Sequence, residues 1–178
     1  MKKVFVLIGY ILLQACATPV DIDYKPSIDF AGFKGYQWQP VPQAHYNDPR
    51  LNSSLLHERI QSAMNATLQR KGFILLQSGK PDFYIAYHLR LEKRTEADTV
   101  GFGLGFHHRH YGWGLGTETI LREYDESTLI IDVLDPESGD ILWRGSLGNR
   151  VTRADSVAEK DSNIQHQVNT ILSEFPPL

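Results

Sequence analysis

Three stretches of the chain have apolar and polar patterns that predict strands. In residues 82–92, DFYIAYHLRLE, apolar side chains occupy every second position and polar side chains fall between them. One buried face and one wet face indicate a sheet that is covered on one side only. Residues 117–136 predict the next long strand, and residues 141–151 return after the turn PESGD as its hairpin partner.

Two shorter segments add strands to this hairpin. Residues 29–40, DFAGFKGYQWQP, space aromatic side chains through small and polar ones and predict a first strand, bulged at Gly32 or Gly35. The run FILL, residues 73–76, predicts a short strand directly after a helix.

The remaining apolar residues recur at helical spacing. Leu56, Ile60, Met64 and Leu68 repeat every four residues, and Gly72 followed by Phe73 predicts a Schellman-type helix end. A second helix is predicted from about Ala154 to Glu174. Its apolar stripe consists of Val157, Ile164, Val168, Ile171, Leu172 and Phe175.

The order of these elements predicts an α+β fold. Strand, helix, short strand, three strands and helix fit a two-layer domain with a mixed or mostly antiparallel sheet of about 4–5 strands. Both helices are expected on one face of that sheet, because this arrangement buries every apolar stripe.

The N-terminus predicts a lipid anchor. Residues 1–15 hold a basic start and an apolar run that is too short to span a bilayer as a helix. Leu13-Gln14-Ala15-Cys16 resembles the bacterial lipoprotein box, which implies cleavage before Cys16 and acylation of its thiol. Cys16 is the only cysteine in the chain, so an internal disulfide and a thiolate cluster are excluded. We expect a signal peptide (1–15), a lipidated tether (16–27) and a single envelope domain (28–178).

The charge of the chain and its expected location limit the classes of partner that it can bind. The chain has 18 basic and 21 acidic residues and no basic run, which argues against nucleic acid as a partner. Ala17, rather than Asp, follows the cysteine, so by resemblance to other lipoproteins we expect the periplasmic face of the outer membrane. The membrane is then a partner through the lipid on Cys16.

Several motifs together resemble one bacterial lipoprotein family, domain of unknown function 4136. They are the lipoprotein box, DFAGFKGYQWQP, a helix ending in KGF, DFYIAYH, REYDESTLIIDVLDPESGDILWRG and ILSEFPP, in this order. The resemblance covers about residue 22 to the end. It implies an α+β envelope lipoprotein domain and brings no catalytic residues with it.

The segment GFGLGFHHRHYGWGLG, within a predicted loop at about 98–117, carries the most unusual chemistry. His108 and His110 share a face of an extended chain and can present two imidazoles to a metal, whereas His107 faces away and Arg109 disfavours a cation. Glu96, Asp98 and Glu118 flank the segment as possible oxygen ligands. A surface loop without metal is the simpler interpretation, and we expect no cofactor.

The aromatic residues of the same segment favour a contact role. Phe102, Phe106, Tyr111 and Trp113 lie in a glycine frame and suit an interface with an envelope protein, a glycan or lipid headgroups. Folding of the loop back over the open face of the sheet is the alternative. The glycine spacing does not match a phosphate loop.

The remaining titratable candidates have structural interpretations. Asp132 interrupts an apolar strand, and pairing with Arg144 across the hairpin would satisfy it. Asp135 and Asp140 bracket a turn, where aspartate bonds nearby backbone N–H groups. His88 belongs to the polar face of its strand.

These observations predict an outer-membrane-anchored periplasmic lipoprotein that acts as a binding or structural module, with no catalytic activity. The alternative is a metal-dependent or hydrolytic envelope enzyme with a site near residues 101–116.

Overall fold

The computed structural model of the chain describes residues 20–40, 46–100, 118–151 and 156–177, with the backbone alone for 98–100 and 118–120. In this part of the chain two helices and six strands follow one another. They are β1 (Asp21–Tyr24), β2 (Gly35–Trp38), α1 (Ser54–Arg70), β3 (Ile74–Leu75), β4 (Phe83–Val100), β5 (Glu118–Leu134), β6 (Ile141–Arg150) and α2 (Val157–Ser173).

The strands form one mixed sheet in the order β1-β6-β5-β4-β2-β3. The pairs β1/β6, β6/β5 and β5/β4 are antiparallel, whereas β4/β2 and β2/β3 are parallel. The α+β class and the mixed sheet are therefore confirmed. The count of 4–5 strands was one short, because β1 lies inside the segment assigned to the tether. Its four residues are too few to give a periodic signal.

The predicted first strand is shorter than expected. Phe30–Gly32 forms a single 3₁₀ turn, in which the Asp29 carboxylate accepts a hydrogen bond from the backbone N–H of Ala31 at 3.0 Å. The strand proper is limited to Gly35–Trp38, and neither glycine forms the predicted bulge. Phe30 is buried in the core instead of alternating along a strand.

α1 ends as the sequence predicted. The N–H of Phe73 donates to the carbonyl of Leu68 at 3.0 Å, and the N–H of Gly72 donates to that of Gln69 at 3.0 Å. These are the two bonds of a Schellman motif, and Gly72 has the positive φ of 92° that the motif requires. The buried face of α1 also includes His57, which the four-residue repeat did not indicate.

α2 begins later than expected, at a capping box. The Ser156 hydroxyl accepts from the N–H of Glu159, whose carboxylate accepts from the N–H of Ser156. Val157 belongs to the predicted stripe but is 65% exposed, because it lies in the first turn. The remainder of the stripe packs on the sheet.

Both helices share one core with one face of the sheet. Residues of α1, α2, β4, β5 and β6 form a single buried cluster, with Trp143 of β6 fully buried in it. Gly145 allows α2 to approach closely, since a Cβ there would lie 2.8 Å from the Ile171 side chain and 2.5 Å from the Trp143 ring. Neither helix is long and apolar enough to cross a membrane in the described residues.

β4 and β5 extend beyond the sheet as a two-stranded ribbon. Their pairing continues to Val100 opposite Glu118, whereas β6 ends with Arg150 opposite Glu126. Eight residues on each strand project past this point, about 27 Å at strand spacing. The predicted loop therefore joins the two strands at the far end of this ribbon.

Candidate functional site

The residues singled out at the N-terminus and in the loop lie outside the described part of the chain. This holds for Cys16, for the predicted contact residues Phe102, Phe106, Tyr111 and Trp113, and for His107, His108 and His110. Within the described residues no group of three or more His, Cys, Asp or Glu side chains is placed to hold a metal ion. Glu96, a possible oxygen ligand, lies 3.6 Å from Arg150.

Asp132 forms the predicted pair with Arg144. Arg144 Nε donates to Asp132 Oδ1 at 2.6 Å, and Nη2 donates to Oδ2 at 2.7 Å, so the guanidinium binds the carboxylate with two parallel bonds. The Asp132 side chain is 2% exposed and that of Arg144 is 44% exposed. Burial acts to raise the pKa of Asp132, but the bonds from Arg144 and His88 outweigh it and lower that pKa below its usual value.

Two neighbouring strands extend this pair into a polar row on the sheet face opposite the helices. His88 Nε2 of β4 lies 3.4 Å from Asp132 Oδ2. On the other side, Asp23 of β1 is the register partner of Arg144. The row therefore runs His88, Asp132, Arg144, Asp23 across four strands, with the doubly hydrogen-bonded Asp132–Arg144 pair at its centre. This arrangement has a structural explanation in the pairing of a buried carboxylate.

The aspartates of the β5–β6 turn also have structural partners. Asp135 Oδ1 accepts from the N–H groups of Glu137 at 2.7 Å and Ser138 at 2.8 Å, and these bonds lower its pKa. Asp140 pairs with Lys25 at 2.8 Å. Asp132, Asp135 and Asp140 thus serve three separate local structures.

A cleft lies between the two helices and one end of the sheet. It encloses about 730 Å³, within the range of roughly 300–1,000 Å³ that is typical of small-molecule sites. Its apolar lining consists of Leu51, Leu56, Leu91, Val151 and Ile164.

The charged residues that line this cleft are Arg50, Arg59, Arg150 and Lys160. Its other lining residues are neutral: Ser53, Ser127, Asn149, Asn163 and Gln167. Among the described lining residues there is thus no carboxylate. The cleft combines an apolar floor with cationic residues at its edge, of which Arg150 has its side chain on the other face of the sheet, the face that carries Asp132 and Arg144.

The four cations differ in how closely a carboxylate binds them. Arg50 is bound by Asp48 at 2.8 Å and by Asp125 at 2.6 Å, and Arg59 is bound by Asp161 at 2.5 Å. Arg150 lies 3.6 Å from Glu96, beyond hydrogen-bond distance, and its guanidinium sits 4.0 Å from the centre of the Tyr124 ring. Lys160 forms no ion pair with a described residue.

The family model described as "Domain of unknown function (DUF4136)" matches residues 20–177. The chain belongs to this family. The match begins at the residue before β1 and ends after α2, so it takes in the whole described fold. Among curated proteins, none matches the chain.

Solved structures resemble the chain at low identity, and one of those described here shares its fold. A PDZ domain protein from Parabacteroides distasonis is 15% identical with a TM-score of 0.58, over 90% of this chain. This chain spans 36% of the length of that protein. PelC from Paraburkholderia phytofirmans, a dodecamer, is 12% identical over 87% of this chain and 94% of its own, with a TM-score of 0.45. A minor lipoprotein from Acinetobacter baumannii is 9% identical over 80% and 88%, with a TM-score of 0.32.

No pattern in the sequence indicated the cleft. Its cations come from four separate segments of the chain, and no local motif joins them. Leu91 of β4 and Ser127 of β5, which both line the cleft, are register partners, and the sequence did not specify this register. The position of α2 over the end of β6 depends on tertiary packing, which a single sequence does not specify.

Proposed function

We propose that this protein is a lipid-anchored module of the bacterial cell envelope, held on the periplasmic face of the outer membrane, which binds a ligand or partner and does not catalyse a reaction. The observation that carries this proposal is that three features lie at the same end of the sheet. They are the N-terminal end of β1, the cleft and the base of the ribbon.

The anchor supports the address. Leu13-Gln14-Ala15-Cys16 has the pattern of a lipoprotein box and holds the only cysteine of the chain. β1 starts at Asp21, and four residues separate it from Cys16, so the two Cα atoms can lie at most about 18 Å apart. A lipid on Cys16 would thus hold the domain close to the membrane surface.

The direction of β1 supports one orientation of the domain at that surface. Asp21 pairs with Ser146, and β1 is antiparallel to β6, so the N-terminal end of β1 points toward Arg150. Arg150 lines the cleft. The lipid would therefore lie on the cleft side of the domain.

The ribbon leaves the sheet at this same end. Glu92 of β4 pairs with Glu126 of β5, which pairs with Arg150 of β6, and the ribbon begins directly beyond this row. It carries the segment with Phe102, Phe106, Tyr111 and Trp113. We propose that these aromatic residues contact an envelope protein, a glycan or the headgroup region.

Site-specific photocrosslinking in intact cells tests the binding role. A photoreactive phenylalanine analogue replaces Tyr111 in the loop or, as a matched control, Tyr84 on the opposite end of β4. We expect crosslinked products from position 111 that are absent from position 84. The same products from both positions, or none from position 111, would contradict a contact loop.

Metal analysis distinguishes the proposed binding module from the alternative, a metal-dependent or hydrolytic enzyme. A protein purified from native membranes with stoichiometric metal on His107, His108 and His110 would favour the metal-dependent or hydrolytic enzyme. We expect metal to be substoichiometric and unaffected by replacing His108 and His110 with glutamine.

A further inference from the structure

We infer that the ribbon edge of β5 pairs with the same edge of a second copy of this chain, as two antiparallel strands centred on Leu121. This goes beyond the proposed function, because it assigns a partner to the ribbon itself. The strands β4 and β5 of both copies would then form one continuous four-stranded sheet across the pair.

β5 has an unpaired edge where it projects past β6. The N–H of Val151 donates to the carbonyl of Asp125 at 2.8 Å, so the backbone groups of Asp125 point away from β4. Backbone groups alternate in direction along an antiparallel strand, so those of Glu123, Leu121 and Thr119 point the same way. β6 ends before this stretch, and no strand of the described residues pairs with it.

Space for a further strand lies beside this edge. A hollow of about 780 Å³ is lined by residues of β5 and of the end of β6, among them Glu123, Asp125, Arg150 and Val151. Leu121 is 68% exposed on the same stretch of β5. A strand edge with unpaired backbone groups and an exposed leucine is a template for pairing with another chain.

The sequence of this stretch is complementary to itself in one antiparallel register. Leu121 lies opposite Leu121 of the second copy, so two exposed apolar side chains cover one another. The other facing residues are Glu123 and Thr119, Arg122 and Ile120, and Tyr124 and Glu118. Like charges directly opposite one another destabilise a strand pair, and this register contains none.

Neighbouring registers lose this match. A pair centred on Arg122 or on Glu123 places like charges opposite one another. Both also need the carbonyl of Asp125, which already accepts from Val151. The register centred on Leu121 has three facing pairs of outward-pointing residues, which give about six backbone hydrogen bonds. The contact is small, so we expect it to form where lipid anchors concentrate the chains in one leaflet.

The pair is compatible with two anchored chains. β1 is antiparallel to β6, which is antiparallel to β5, so β1 and β5 run in the same direction. The N-terminal ends of both β1 strands would therefore point toward the middle of the pair, where the two ribbons lie. Each tether spans at most about 18 Å from Cys16 to Asp21, so both lipids would lie near this middle.

Disulfide crosslinking of the full chain in intact cells tests the pairing. In this register the two copies of residue 121 have Cα atoms about 5.5 Å apart, which suits a disulfide, whereas those of residue 123 are more than about 13 Å apart. After mild oxidation we expect at least about tenfold more covalent dimer from Leu121→Cys than from the matched control Glu123→Cys.

Three results of this experiment overturn the inference. They are equal amounts of dimer from both variants, no dimer from Leu121→Cys, and a crosslink from Leu121→Cys to a different protein without any dimer of this chain. The last result would assign the edge to another partner.

A proline variant separates backbone pairing from side-chain contact. Glu123→Pro removes an N–H that points toward the second copy and leaves the bonds to β4 in place, because those come from the alternate residues. Added to Leu121→Cys, it should reduce the dimer at least about fivefold, whereas Glu123→Ala should leave the dimer unchanged. Near-ultraviolet circular dichroism verifies that each variant is folded. An unchanged dimer with Glu123→Pro would rule out strand pairing.

The wild-type chain distinguishes failure of this inference from failure of the proposed function. Its one cysteine, Cys16, is expected to be acylated and to form no disulfide. Acylated protein that gives no dimer from Leu121→Cys keeps the anchor and removes the pairing. A disulfide-linked wild type contradicts the anchor, and Leu121→Cys in a Cys16→Ala chain then tests the pairing by itself.

Discussion

Asp132 is a buried carboxylate that depends on its neighbours to compensate its charge. Its side chain is 2% exposed, and a buried carboxylate is costly unless it is paired and hydrogen-bonded. Arg144 supplies both, and the half-exposed guanidinium keeps its outer side in water. The pair therefore stabilises the hairpin.

Replacing Arg144 with alanine should lower the free energy of unfolding by about 2 kcal/mol, because Asp132 stays buried without its main partner. Urea unfolding at pH 7 measures this. Arg90→Ala is the matched control, since Arg90 pairs with Glu92 at the surface with 66% of its side chain exposed. It should change stability by less than about 0.5 kcal/mol. A negligible effect of Arg144→Ala would contradict the pairing.

The same variant gives a pH test. The folded pKa of Asp132 is lowered, so its paired carboxylate stabilises the protein above the unfolded pKa of about 3.9, and this contribution is lost as pH falls below it. The cost of Arg144→Ala should therefore be largest near pH 7 and shrink toward pH 3. Urea unfolding of wild type and variant at both values measures the gap, and an equal gap would rule out this linkage.

This pair could be predicted from the sequence, whereas its extension could not. The charges of Asp132 and Arg144 indicated the pair, but the register that continues from the turn PESGD would place Asp132 opposite Trp143, and a register shift between Val133 and Leu134 brings Asp132 opposite Arg144. His88 joins them only because the register between β4 and β5 places it diagonal to Asp132, and the long connection through residues 101–117 leaves that register open to sequence reasoning.

At the scale of elements, sequence patterns predicted a feature correctly where its hydrogen bonds join residues that are close in the chain. The end of α1 at Gly72 depends on hydrogen bonds within five residues, and the sequence specified it. β1 depends on pairing with a strand more than 100 residues away, so no local signal in the segment assigned to the tether indicated it. The turn Phe30–Gly32 was missed for a related reason, because burial of Phe30 against Phe175 overrides the alternating pattern.

The ribbon gives the prediction that belongs to this scale. Residues 93–97 of β4 and 121–123 of β5 are exposed, so the ribbon adds little to the core. Deleting residues 101–116 should leave the melting temperature within about 2 °C of wild type, because no core contact of the described residues is lost. Differential scanning calorimetry measures this.

A large fall in melting temperature after this deletion would contradict a contact loop. It would favour the alternative in which the segment folds back over the open face of the sheet. Replacement of residues 101–116 by a glycine-serine linker of equal length controls for the change in loop length.

For the whole molecule, the expected anchor, the cleft and the ribbon all lie at one end of the sheet, so the two ends of the domain differ. Sequence alone indicated the anchor and the loop as separate features. Their common location follows from the strand order β1-β6-β5, which is set by long-range pairing. We propose that this end faces the membrane, which requires Cys16 to carry a lipid.

The intact mass of the protein purified from native membranes tests this most directly. We expect a polypeptide that begins at Cys16, lacks residues 1–15 and carries acyl chains, and we expect Cys16→Ala to be neither acylated nor membrane-bound. A wild-type protein with a free Cys16 thiol, or a Cys16→Ala variant that is still acylated and held in the membrane, would contradict the lipid anchor.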